Sequence, residues 1–412
     1  MFSFYMPRSN RLIFKLARYC LTGFLWILLC ASNTVSAEDK LPAWVTEGPY
    51  VEERSFSIEL PLERLANKLY VKIEIGGQSR HFVFDTGSPS MLSAALADEL
   101  GLKAIDKRKG RDSHGAIIES DIVQIDLTLN GVTLHKVPMF STDFSSSNVA
   151  KCMIRDGVLG SEVLPLCAWQ IDLPDSVLRC NSKLEELDHV NHAEKVRLYD
   201  FGYPHAPIVD VRFANKARSK AMFDTGSPEY LAISPQDFDG AKRSGGIGQV
   251  ISGFGSLGRS LGGQAPDGNQ LKGELKSFSI DRIKLGEVDA VVRESPPSLI
   301  GASLLKHYII TLDPRSKAAY FEKYYEAPFM RSSFGLSLAF EPTMSVSLVW
   351  DKSPASKAGL QVGQLLNSIN GEATSTSCDS IQNVLKAMSG DLVELEWEGG
   401  ATKLIRETRL FQ

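Results

Sequence analysis

Apolar and polar residues alternate in short runs along most of this chain. Tyr70, Val71, Ile73 and Ile75 lead up to one Asp-Thr-Gly triplet, and Ile208, Val209, Val211 and Phe213 lead up to a second. Alternation of that kind predicts strands. Helical spacing is scarce. Ser93 is placed to cap a short helix carrying Leu96 and Leu100 and stopped at Gly101, and Ser234-Pro235 predicts its counterpart in the second half. A further helix is predicted from Ile381, Val384, Leu385 and Met388, ending near Gly390.

The two triplets sit in one repeated word, Phe84-Asp85-Thr86-Gly87-Ser88-Pro89 and Phe223-Asp224-Thr225-Gly226-Ser227-Pro228. The repetition extends beyond the word. Each copy reaches an apolar-apolar-glycine triplet at a similar distance, Val158-Leu159-Gly160 in the first half and Leu299-Ile300-Gly301 in the second. Asp172 follows Gly160, and Asp313 follows Gly301, at equal spacing, with Pro174 and Pro314 close behind. Matched landmarks in matched order predict a duplicated domain.

Two carboxylates brought within about 3 Å cannot both ionise, so such a pair shares one proton and offers a base beside an acid. That arrangement activates a water for attack on an amide carbonyl, with no covalent intermediate. Asp85 and Asp224 are the candidate pair. Gly87 and Gly226 allow the backbone to turn sharply against the carboxylates, and Ser88 and Ser227 are candidates to donate to their outer oxygens.

These residues resemble the aspartic peptidases of the pepsin and retropepsin group, over about residues 57 to 322 in two halves. The resemblance implies a mostly β, bilobal fold with one catalytic Asp from each lobe. It also implies that Thr86 and Thr225 cross-link the two loops and that each apolar-apolar-glycine triplet packs behind its own loop. Bacterial retropepsin-like halves fused in tandem are the nearer relatives. The chain departs from pepsins at Pro89 and Pro228, where a small polar residue is usual; each proline removes an N–H and pushes the serine before it toward an extended conformation.

The family implies a hairpin flap over the cleft in each half. In the first, the predicted tip is Ser113-His114-Gly115-Ala116, ahead of a strand from Ile122 to Leu129 and a turn at Asn130-Gly131. It lacks the tyrosine of pepsin flaps, and His114 is either a pH-sensitive element or an idle loop residue. In the second, Gly253, Phe254 and Gly255 are the candidates. Gly253 to Gly258 formally match a dinucleotide fingerprint, but no helix pattern follows and no βαβ unit contains them, so a mobile flap is the expectation.

After about residue 330 the texture changes. Ser353-Pro354-Ala355, Ala358-Gly359-Leu360, Val362-Gly363 and Ile369-Asn370-Gly371, with the helix at Ile381, look like a bacterial PDZ domain, although Gln364 replaces a common aspartate. By that resemblance Phe334-Gly335-Leu336 is the loop whose N–H groups hold a peptide's C-terminal carboxylate, with the edge strand following it.

The predicted division is therefore 1–37 signal peptide, 57–180 first lobe, 181–197 polar linker, 198–322 second lobe and 331–412 PDZ domain. Arg8, Arg11, Lys15 and Arg18 precede an apolar run from Leu21 to Ala31 and the small residues Val35-Ser36-Ala37, the order of a secretory signal. The run is about half of what spans a bilayer, so cleavage is expected, with no stable membrane insertion after it; retention as an anchor is the other reading. Export to the periplasm or beyond leaves Cys152, Cys167, Cys180 and Cys378. If Asp172 to Asp175 form a hairpin turn, Cys167 faces Cys180 across it and can bridge to it; two buried thiols are the alternative.

Net charge is −4 without a basic cluster, which argues against a nucleic-acid partner. No metal-ligand spacing or serine-nucleophile elbow occurs, and neither metal nor cofactor is expected. The expected function is an exported aspartic endopeptidase acting on peptides or proteins, with a PDZ module for substrate capture or regulation. A non-catalytic peptide-binding scaffold of the same fold is the alternative.

Overall fold

The computed structural model describes residues 41–145, 147–214 and 217–407; the expected signal peptide lies outside them. The chain folds mostly as strands, in two related halves followed by a smaller C-terminal unit.

The first half is built on an eight-stranded sheet that includes Lys68–Ile75, Gln78–Phe84, Ile117–Leu129 and Val132–Thr142. Val71, Ile73 and Ile75 point inward from the first of these, as alternation predicts. The second half repeats the plan with Ile208–Phe213 and Ala217–Asp224, where Val209, Val211 and Phe213 are buried. Asn130 and Gly131, both at positive φ, make the two-residue turn between the long strands. Ser93 and Ser234 cap their helices, accepting from Leu96 N (3.2 Å) and Asp237 N (3.2 Å).

The halves are joined by a central antiparallel ladder in which Ala168–Asp172 pairs with Tyr308–Asp313. Those strands end at the matched Asp172 and Asp313, each opening a hairpin of the same register, Asp172 opposite Val177 and Asp313 opposite Ala318. Each carboxylate meets an arginine, Arg179 at 2.7 Å and Arg315 at 2.9 Å. One apolar core runs through both halves, with Phe84, Leu159, Trp169, Phe223 and Ile300 in it.

The stretch expected as linker, 181–197, is not all connector. Glu194–Tyr199 is a strand of the central sheet, paired with Ala318–Lys323, and Val196 and Leu198 are buried between charged neighbours that masked the alternation.

The C-terminal unit has its own core, including Phe334, Val346, Ile369, Val384, Val393 and Leu404. Its helix Cys378–Ala387 turns Ile381 and Val384 inward. It is also stitched to the second half: Ser345–Trp350 pairs antiparallel with Ile247–Gly255 on one side and with Leu336–Ala339 on the other. A fifteen-stranded sheet therefore runs from Ser57–Pro61 through both halves and ends at Leu336–Ala339.

Two disulfides lock this arrangement. Cys167 bonds to Cys180, but the hairpin centres one residue later than expected, so Cys180 stands opposite Trp169 and Cys167 is its diagonal neighbour on the same face. Cys152 bonds to Cys378, tying the helix Asn148–Ile154 of the first half to the helix of the C-terminal unit.

Candidate active site

Each Asp-Thr-Gly loop leaves the end of a strand that pairs in parallel with its own apolar-apolar-glycine strand: Phe84 beside Leu159, and Asp224 beside Gly301. The glycines let the loops come down on them. A Cβ on Gly160 would lie 2.3 Å from Ser90 N, and one on Gly301 would lie 2.2 Å from Glu229 O.

The loops then meet across the pseudo-twofold axis. Thr86 N donates to Thr225 Oγ1 (3.0 Å) while Thr225 N donates to Thr86 Oγ1 (3.1 Å). Each hydroxyl passes its own proton to the opposite loop, Thr86 to Phe223 O (2.7 Å) and Thr225 to Phe84 O (2.8 Å). Four bonds made by two buried side chains fix the loops against each other.

That clasp brings the two carboxylates together. A Cβ on Gly87 would sit 2.4 Å from Asp224 Oδ1, and one on Gly226 would sit 2.1 Å from Asp85 Oδ2. The glycine of each loop lies against the carboxylate of the other, a contact any other residue would obstruct. Gly87 N also donates to Asp85 Oδ1 (3.0 Å), and Gly226 N to Asp224 Oδ1 (2.9 Å). Asp224 is 2% exposed, and burial together with the neighbouring Asp85 carboxylate pushes its pKa well above the ordinary range. Asp85 is only half-buried. The Ser88 hydroxyl does not serve the carboxylate as expected; it donates to Pro89 O (3.0 Å), the acceptor that the proline places beside it.

Both carboxylates line one cavity of about 570 Å³, with Ser227, Val158, Leu299 and His114 among its walls. The residues expected at the first flap's tip, Ser113 to Ala116, lie in the turn of the hairpin formed by Asp106–Arg111 and Ile117–Leu129. Burial holds the pKa of His114 below the usual imidazole value. Asp112 organises that tip by accepting from His114 N (3.0 Å) and Ala116 N (2.8 Å). Its other oxygen accepts from Gly262 N (2.9 Å) and from the Ser260 hydroxyl, joining the first flap to the tip of the second across the cleft.

That second tip is 256–267, not Gly253-Phe254-Gly255. Those three lie in a strand hydrogen-bonded on both sides, to Gly268–Ile280 and to Ser345–Trp350 of the C-terminal unit. Their glycines answer a close approach rather than mobility. A Cβ on Gly255 would meet Ser347 O at 2.1 Å, and one on Gly253 would meet Trp350 Cε3 at 2.8 Å.

Sequence reasoning passed over a buried carboxylate behind the first loop. Glu162 accepts from Ser90 N (2.6 Å) and from Tyr203 OH (3.0 Å), and burial pushes its pKa up to about 7. The signal was present: a charge inside the apolar run after Gly160, where the second half has Ser303.

At the expected carboxylate-holding loop, Gly335 has φ +79°, and a Cβ there would lie 1.9 Å from Ser353 Cβ. Phe334 is buried in the core of the unit.

No curated protein matches the chain. Residues 71–163 match the family described as aspartyl protease, and residues 345–399 match that described as PDZ domain. The first loop, with Asp85 and Gly160, lies within the aspartyl-protease match and the separately cored C-terminal unit contains the PDZ match, while the second loop at Asp224 lies outside both; the chain carries an aspartyl-protease domain and a PDZ domain.

Proposed function

We propose that this protein is an exported aspartic endopeptidase in which Asp85 and Asp224 together activate a water for hydrolysis of a peptide bond. The observation that carries the reading is the reciprocal packing of the two loops, each glycine against the other's carboxylate, beneath one cavity. The asymmetry of burial divides the labour. Asp224, the more buried and the one whose pKa is raised, holds the shared proton, and the more accessible Asp85 is the base.

In the reaction, water attacks the carbonyl carbon as Asp85 accepts its proton and Asp224 donates to the carbonyl oxygen. Collapse of the tetrahedral diol breaks the C–N bond: the departing nitrogen takes the proton held at Asp85, and one diol hydroxyl returns a proton to Asp224 as the carboxylic acid forms. Both flaps, joined through Asp112, exclude bulk water above the site.

Two disulfides favour an oxidising compartment, in keeping with the expected signal peptide and a periplasmic or secreted location. The test is to substitute Asp85→Asn and Asp224→Asn singly and follow hydrolysis of a peptide mixture by mass spectrometry. Each is expected to reduce turnover by about 10²–10⁴-fold with the fold intact. Undiminished hydrolysis in either variant would remove the assignment.

A further inference from the structure

The pseudo-twofold axis relates two segments that flank the Asp pair on opposite sides. In the first half, the stretch between Val132–Thr142 and Gly157–Leu159 carries the helix Asn148–Ile154. That helix gives the cavity Val149, Ala150, Met153 and Ile154, none of them charged. The matching stretch of the second half, between Ile283–Val292 and Ser298–Gly301, spans only 293–297 and has no helix. It gives the same cavity Arg293 and Glu294. Duplication has left the two sides of the pair chemically unlike.

Arg293 is pinned at its backbone and at its tip. Its N–H donates to Ile233 O (2.9 Å), and its Nη1 donates to Pro297 O at the far end of the short segment. Burial lowers its pKa, and the negative groups that oppose the shift are Asp224 first and then Glu294. The guanidinium therefore stands within electrostatic reach of the catalytic pair. With the shared proton on Asp224 that neighbour is neutral, while Glu294 is 42% exposed and turned toward His114 of the flap tip, 3.9 Å away. This corner of the cavity is left with a positive field. Other cations of the second-half wall meet carboxylates of the protein, Lys272 at Asp289 (3.4 Å), Arg259 at Glu341 (3.2 Å) and Arg331 at Glu229.

We propose that Arg293 makes the enzyme selective for an acidic residue beside the bond that is cut. The carboxylate of a substrate Asp or Glu lies on the 293–297 side of the Asp pair, against the guanidinium, and an apolar side chain lies on the side of the helix Asn148–Ile154. The proposal rests on the peptidase reading and adds the substrate class: chains with an apolar and an acidic residue flanking the cut, always in the same order. Lysine at the acidic position is rejected by like charge.

The test uses the full oxidised chain. Cut sites in a peptide mixture are mapped by mass spectrometry, and kcat/KM is then measured for peptides that differ only in Glu, Gln or Lys at the selected position, at about pH 6, where Glu is ionised. The expected result is a Glu-to-Gln ratio in kcat/KM of at least about ten, falling to about one in Arg293→Gln and kept in part by Arg293→Lys. Equal rates for Glu and Gln, a preference for Lys, or a Glu preference that survives Arg293→Gln would overturn the inference and leave the peptidase reading in place. Should Arg293→Gln not fold, an unchanged ratio in Arg293→Lys would overturn it as well. Binding of the same peptides to the Asp224→Asn protein, read by fluorescence anisotropy, separates the two readings. Glu-selective binding without hydrolysis of any peptide by the unaltered chain would support the subsite and count against the peptidase reading, and equal binding without hydrolysis would count against both.

Discussion

Arg331, in the segment that enters the PDZ domain, is ion-paired with Glu229, in the loop that follows Asp224. The PDZ domain is thereby in electrostatic contact with the loop that carries Asp224. Both side chains are about a quarter exposed, at 28% and 25%, so the pair is partly shielded from solvent. Glu229→Gln should leave Arg331 uncompensated beside Arg406 and cost about 1–3 kcal/mol of stability, read from the denaturant midpoint.

The threonine clasp should be less forgiving. Thr225→Val removes the acceptor for Thr86 N and the donor to Phe84 O, both buried, for an expected cost of about 2–4 kcal/mol. Thr225→Ser keeps both bonds and should cost less than about 1 kcal/mol. Equal destabilisation by the two, in thermal melts, would show that the hydroxyl bonds do not hold the loops together.

Glu162 predicts a pH dependence of stability. Its pKa rises from 4.5 to about 7 on folding because burial disfavours the charged form. The folded chain then binds that proton more tightly than the unfolded chain. Its contribution is complete below about pH 4.5 and is lost as pH rises toward 7. The loss amounts to a few kcal/mol at most. Glu162→Gln, whose amide oxygen can still accept from Ser90 N while its NH2 donates to the Tyr203 hydroxyl oxygen, should flatten urea midpoints over that interval.

Gly255→Ala tests the contact between flap strand and module. The added methyl meets Ser347 O at 2.1 Å from a backbone at φ +124°, so the strands must part. Amide hydrogen exchange is expected to rise in both Ile247–Gly255 and Ser345–Trp350, with the central ladder unaffected.

Reduction of the Cys152–Cys378 bond should loosen the helices Asn148–Ile154 and Cys378–Ala387 ahead of either core. The bond closes a separation of 226 residues, and its removal by Cys378→Ala is expected to cost about 2–5 kcal/mol. Unchanged exchange in both helices would mean that packing alone seats the module.

Much of this was legible in the chain because duplication writes its own check. Asp85 and Asp224, Gly160 and Gly301, and Asp172 and Asp313 each gain meaning from their counterpart. What was hidden depends on partners distant in sequence. Gly253 and Gly255 look like hinge glycines until Ser347 and Trp350, a hundred residues later, fill the space a side chain would need. Cys152 and Cys378 carry no spacing signal, since their pairing follows from where two separate units dock. Ser88 was misassigned because a hydroxyl beside a carboxylate in sequence is not beside it in space once Pro89 O is nearer.

The ladder between Gly253–Gly255 and Leu348–Trp350 has a mechanical consequence. The module is fused edge to edge with the hairpin that roofs the cleft, so the pair behaves as one elastic plate with no swivel between them. Tension applied at the rim by a bound chain would bend that roof, and the cleft would register occupancy of the module through deformation of shared backbone.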